Sequence, residues 1–185
     1  TLASNPDRAQ PYQPGLFYWG IVAGDEASLT ALAITEEEIM GFVQSQGQRY
    51  TLGRLENNEQ GVHIFYRDTD LKNSPDIGCD TDDDLHYVGN DNPKGTTINV
   101  EKDANNCVRM YVEADHSIFL NKGGLVPTTN YVTGAFSQVA IMFANESINF
   151  LLNELFVWDV PDPYTGPSAG NFLTQFRDHL NGNFN

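Results

Sequence analysis

The chain has 185 residues, 40% of them hydrophobic, and sets 10 Lys and Arg against 25 Asp and Glu for a formal charge of −15, which is room for one domain or two small ones around a real core. So few cations exclude nucleic acid and anionic membrane as partners, because phosphate binding needs clustered Lys and Arg. No apolar run approaches the roughly 20 residues that span a bilayer, and no basic segment leading into an apolar one opens the chain.

In chain order, residues 1–14 are polar and Pro-bearing and read as a loose lead-in. A strand over residues 17–22 meets a turn at Ala23-Gly24-Asp25-Glu26 and returns as a second strand over residues 28–34, a hairpin. Further strands are predicted at residues 38–44, 49–55 and 62–66, separated by a Gln-Gly-Gln turn and by the Asn- and Gly-bearing stretch 57–61. Short strands about ten residues apart, punctuated by Gly and Asn, make a small antiparallel sheet or barrel over residues 1–67. Residues 68–106 shift to Asp, Asn, Gly, Pro and Thr and read as an acidic, polar linker.

The second piece, residues 107–185, begins with an alternating strand. Val108, Met110, Val112 and Ala114 fall on one face, with Arg109, Tyr111 and Glu113 on the other. From Asn130 the period becomes helical, and Val132, Phe136, Val139 and Phe143 mark one buried stripe. The run 148–157 is apolar enough to predict a strand with no exposed face. Two strands joined by a crossover helix form a right-handed parallel unit. Such a pair without further cover looks cut off inside a domain. A Pro-rich turn, 159–167, leads to a short helix with Ser168 as N-cap, Phe172, Phe176 and Leu180 on one face, and Gly182 to end it. The fold class expected is therefore α+β: a small antiparallel β-rich part followed by an incomplete α/β sheet with a long crossover helix.

These residues resemble a known family. Asp115-His116, a Gly turn, Asn130-Tyr131-Val132-Thr133, the long helix, Ile148-Asn149 and Leu155-Phe156-Val157-Trp158 resemble the opening of the catalytic domain of metzincin zinc peptidases of the reprolysin or adamalysin type, including bacterial secreted relatives. Independently, Phe17-Tyr18-Trp19-Gly20, Gly24-Asp25, residues 28–32, Gly41 and Tyr50 look like the prodomain of the same peptidases. The resemblance implies a zymogen: a prodomain over 1–67 that keeps the enzyme latent and assists folding, a linker over 68–106, and the N-terminal part of a zinc endopeptidase over 107–185. It implies a secreted or cell-surface hydrolase acting on a protein or peptide substrate, whose remaining partner is the C-terminal half of the catalytic domain. The chain opens at Thr1 without Met, so a leader is expected to have been removed or to lie outside it. Two Cys and few Lys suit that setting.

Zinc in such enzymes is held by His-Glu-x-x-His-x-x-Gly-x-x-His, with the first two His one helical turn apart and the Glu as general base. His63, His86, His116 and His179 do not fit that spacing, so no catalytic residue is assigned and this chain is expected to be inactive and zinc-free alone. Cys79 is the candidate metal ligand, as a latency thiolate that would block the zinc. Its surroundings, Asp76-Ile77-Gly78-Cys79-Asp80, depart from the family's Pro-Lys-x-Cys-Gly pattern. A disulfide, to Cys107 or to a Cys beyond the end, and a free thiol stay open as alternatives. The stretch Asp80-Thr81-Asp82-Asp83-Asp84 has the carboxylate density of a calcium loop without its Gly and closing Glu, and reads as a solvated loop. The family's calcium-site acid is matched here by Arg109. Glu113, Asp115 and His116 suggest acid-base chemistry, although residues at the end of a parallel strand commonly bond the following loop. Asn145-Glu146-Ser147 satisfies the glycosylation pattern. The rival reading is a non-catalytic secreted module: an inhibitor, adhesin or surface-assembly protein.

Overall fold

The computed structural model describes residues 13–56, 60–72 and 107–183. The chain is α+β. Its first five strands, β1 (Leu16–Val22), β2 (Asp25–Ile34), β3 (Ile39–Ser45), β4 (Gln48–Arg54) and β5 (His63–Arg67), form an antiparallel meander in chain order. Local chemistry places the turns. Gly24 takes φ 84° after Val22, and the buried Ser28 hydroxyl accepts from Val22 N at 2.7 Å while donating to the Asp25 carbonyl at 2.6 Å. Gln46 and Gly47 both have positive φ, as a two-residue type I′ hairpin requires. Thr35 and Glu38 close the β2–β3 turn through Thr35 N to the Glu38 carbonyl at 2.9 Å and Glu38 N to Thr35 Oγ1 at 3.2 Å.

Period-two alternation gives this sheet two faces. One cross-strand row is Trp19, Ala31, Phe42, Thr51 and Tyr66, and its neighbour on the other face is Tyr18, Leu32, Gly41, Leu52 and Phe65. Ala31, Ala33, Met40 and Phe42 are buried, whereas Leu16, Tyr18 and Phe65 are each more than half exposed. The two alanines matter because a small Cβ lets another layer come close.

That layer is helical. After β6 (Cys107–Ala114), Asp115 caps α1 (His116–Lys122) by accepting from Ile118 N at 2.8 Å, the side-chain capping that Asp favours. Gly123 ends the helix in the left-handed conformation at φ 85° and Gly124 follows at φ 132°. Then come α2 (Leu125–Asn145) and β7 (Asn149–Val157), which runs parallel to β6 from Cys107 opposite Asn149 to Ala114 opposite Val157. Helix α2 packs against β7 and also against β1, β2 and β3. Of the described residues, 13–56, 60–72 and 107–161 belong to one compact unit, and 162–183 to a second. In the second, α3 (Ala169–Asn183) starts behind Ser168, whose Oγ accepts from Asn171 N at 3.3 Å, and the Tyr164 ring meets Phe176 edge-on at 6.1 Å.

Five sequence expectations are corrected. An additional helix, α1, precedes the long one, and α2 begins at Leu125 rather than Asn130. The expected stripe of Val132, Phe136, Val139 and Phe143 is not the buried one. Val139 and Phe143 are 46% and 40% exposed, and α2 buries Thr128, Thr129, Asn130, Gly134, Ala140 and Ile141. The helix has two packing partners, and on the antiparallel sheet it sets the bare Gly134 against Met40 and Ala33 and the buried Ile141 against Ala31 and Phe42, a different face from the one the sequence pattern sought. Strand β7 does have exposed positions, Leu151 at 48% among them. Gly182 lies inside α3 instead of ending it.

Candidate functional site

The chemistry-bearing residues gather where the parallel strands end. Tyr111 and Glu113 are two apart on β6 and therefore share a face, and Trp158 follows β7 directly. Tyr111 Oη donates to Glu113 Oε1 and Trp158 Nε1 donates to Glu113 Oε2, both at 2.8 Å. The backbone completes the frame, since Trp158 N donates to the Ala114 carbonyl at 2.9 Å and the Trp158 carbonyl lies 3.2 Å from His116 Nδ1. With its proton on Nδ1, His116 donates to that carbonyl and Nε2 is its acceptor nitrogen. Phe156 meets the Trp158 ring edge-on at 5.0 Å and Phe119 stacks on His116 at 5.8 Å. One carboxylate thus ties together two aromatic donors from both strands. The C-terminal ends of parallel strands are where α/β sheets present their reactive side chains.

Of the three residues suggested for acid-base work, Glu113 and His116 belong to this network. Asp115 is engaged in capping, accepting from Ser117 Oγ at 2.7 Å as well as from Ile118 N. The remaining histidines lie elsewhere. His63 stands on β5, where its Nε2 accepts from Ile39 N at 2.9 Å across the sheet. His179 is on α3 in the second unit, edge-on to Tyr164 at 5.9 Å. Among the described residues no three of His, Cys, Asp and Glu come together as a metal ion would require, so these residues do not form a zinc donor set. Cys79, His86 and the acidic stretch 80–84 lie outside the described residues. Cys107 is a half-buried free thiol at the start of β6, and Arg109 is exposed on the same strand. No described helix is long and apolar enough to cross a membrane.

A polar contact within the same unit went unread in the sequence. Asn130, only 4% exposed, donates through Nδ2 to Glu37 Oε2 at 2.7 Å, joining α2 to the β2–β3 turn. Beside it Thr128 and Thr129 are fully buried, each hydroxyl donating to a carbonyl four residues back. Three successive polar residues near the start of an apolar helix were the signal, since buried polar groups need partners. Nearer the surface, the hydrogen bond and charge of Asp70 raise the pKa of the Arg67 guanidinium above its ordinary value.

No protein-family model matches the chain, and a comparison with curated proteins yields no match.

Proposed function

We propose that this chain is part of the precursor of a secreted zinc endopeptidase of the metzincin type, with the meander β1–β5 as prodomain and β6–α1–α2–β7 as the opening of the catalytic domain. The observation that carries the reading is the parallel β6–β7 pair joined through a long helix and ending in the Glu113, His116 and Trp158 network, at the positions whose order of residues resembles that family. Zinc would polarise the scissile carbonyl and generate the attacking hydroxide. Its ligands would come from the remaining half of the catalytic domain, and Cys79 would be the prodomain thiol that blocks the metal. The test is to express this chain together with what its gene encodes downstream and to assay peptide cleavage with and without a chelator. Chelator-sensitive cleavage is expected after removal of residues 1–106, with premature activity in Cys79→Ala. A downstream sequence without His-Glu-x-x-His ends the peptidase reading.

A non-catalytic secreted binding module is the second reading. It draws on the apolar, exposed Leu16, Tyr18 and Phe65 of the antiparallel sheet, a kind of surface that commonly marks a protein contact. Stable binding of this chain to a protein partner, with no peptidase encoded downstream, would favour it.

A further inference from the structure

Among the described residues β1 is an open edge of the antiparallel sheet, paired with β2 alone. Its seven residues, Leu-Phe-Tyr-Trp-Gly-Ile-Val, include no charge and no Pro, the devices that commonly blunt an edge. The opposite edge, β5, is shorter and bears His63 and Arg67. Leu16, Tyr18, Trp19 and Ile21 are each more than half exposed and Phe17 is 39% exposed, so β1 offers apolar surface on both of its faces. Helix α2 sits chiefly over β2 and β3 and meets β1 through Ser137, whose hydroxyl accepts from Trp19 Nε1 at 3.1 Å. The direction of the backbone groups follows from one bond. Val22 N donates inward, to Ser28 Oγ of β2 at 2.7 Å, and successive residues of a strand turn their N–H and C=O groups to alternate sides. Those of Phe17, Trp19 and Ile21 therefore point to the outer edge. The register irregularity leaves that edge regular, because Gly20 opposite Thr30 and Val22 opposite Asp25 put the extra residues, 26–29, on β2.

We propose that β1 is a homodimerisation edge: it pairs antiparallel with β1 of a second copy, about a two-fold axis at Trp19, and joins the two meanders into one continuous sheet. The outward groups restrict the register, because residues that exchange backbone hydrogen bonds must both face the seam. Phe17, Trp19 and Ile21 can then meet only one another, and the alignment that uses all three sets Trp19 against its own copy and Phe17 against Ile21. The same alignment sets Tyr18 against Gly20, a large side chain against none. It also gathers Phe17, Trp19 and Ile21 of both copies on the face that carries α2. A strand that fits itself in this way makes the isologous contact that a two-fold axis requires. Leu16, Phe17, Tyr18, Trp19 and Ile21 together expose roughly 600 Å² per copy, or about 1,200 Å² for the pair, the lower limit of a standard interface. Affinity in the micromolar range is expected for an interface of that size. The charge of −15 on each copy opposes association at long range and is screened at physiological salt. This edge does not depend on the peptidase reading.

Sedimentation velocity of this chain at physiological salt, from low micromolar to submillimolar concentration, reads the equilibrium. A reversible monomer–dimer equilibrium with a micromolar Kd is expected. Ile21→Lys puts a charge at a 58% exposed position, which the folded monomer tolerates. It should weaken association roughly tenfold or more, since two charges would enter the seam, and leave the Tm of dilute protein unchanged. The register is read by cysteine trapping in a Cys79→Ser, Cys107→Ser background. On mild oxidation Trp19→Cys should give a disulfide-linked dimer, as Cα atoms about 5.5 Å apart across a hydrogen-bonded pair allow. Leu16→Cys should not, because the two copies of that position lie at opposite ends of the seam. A chain that stays monomeric at submillimolar concentration, a dimer indifferent to Ile21→Lys, or a dimer trapped no better at position 19 than at position 16 would overturn the proposal.

Discussion

Gly134 of α2 lies directly against Met40 of β3: a Cβ added at Gly134 would stand 2.5 Å from the Met40 sulfur and 3.2 Å from the Ala33 Cβ. The helix approaches the sheet this closely because its contact face there is bare. The thioether can move aside, but the Ala33 Cβ is fixed to its strand. Gly134→Val should therefore destabilise the protein by about 2 kcal/mol, within the usual range for overpacking, despite the gain from removing a helical glycine. Urea denaturation of the variant measures it. Unchanged stability would mean that α2 can lift off the sheet without loss.

The Glu37–Asn130 bond is predicted to be asymmetric. Glu37→Ala leaves a 4% exposed amide with neither end paired, and should cost about 1–3 kcal/mol. Asn130→Ala removes the buried polar group altogether, releases a half-exposed carboxylate to water and adds helix propensity, so its cost should be about 1 kcal/mol or less. Thermal unfolding of both variants gives the order. A larger loss for Asn130→Ala would contradict this account of the contact.

Gly123 and Gly124 join α1 to α2 at φ 85° and 132°. The first is a left-handed cap that other residues adopt for about 1 kcal/mol. With ψ −176°, the second lies in a region open essentially to glycine, where a side chain costs about 1–3 kcal/mol. Gly124→Ala should consequently be the more damaging of the two. Equal midpoints in denaturant would show that the connection relaxes.

At the ends of β6 and β7, Glu113 accepts from both Tyr111 and Trp158. Glu113→Ala removes that shared acceptor and should cost about 1–3 kcal/mol. Glu113→Gln, which still offers one acceptor oxygen, should lose less. The local readout is Trp158 fluorescence in a Trp19→Phe background, expected to shift to the red in the Ala variant. No spectral change would mean that the indole is held by packing with Phe156 alone.

Much of the fold could be read from the chain. The Ala23-Gly24 and Gln46-Gly47 turns, the alternation of β2 and β3 and the Ser168 cap are local signals, and each sits within a residue or two of its expected place. The start of α2 was harder. Thr128, Thr129 and Asn130 look polar and hence external until a second layer is known to lie against them. Val139 and Phe143 look internal for the same reason, and both are exposed.

By itself the sequence determined the strands, the turns and the long helix, because hydrophobic period and turn chemistry act over a few residues. Which face of α2 is buried, which polar atoms meet and which are left unpaired were decided only by the tertiary structure. Glu37 and Asn130 are separated by 93 positions in the chain. No local period encodes that pairing; it exists because α2 packs against both the antiparallel sheet and β7.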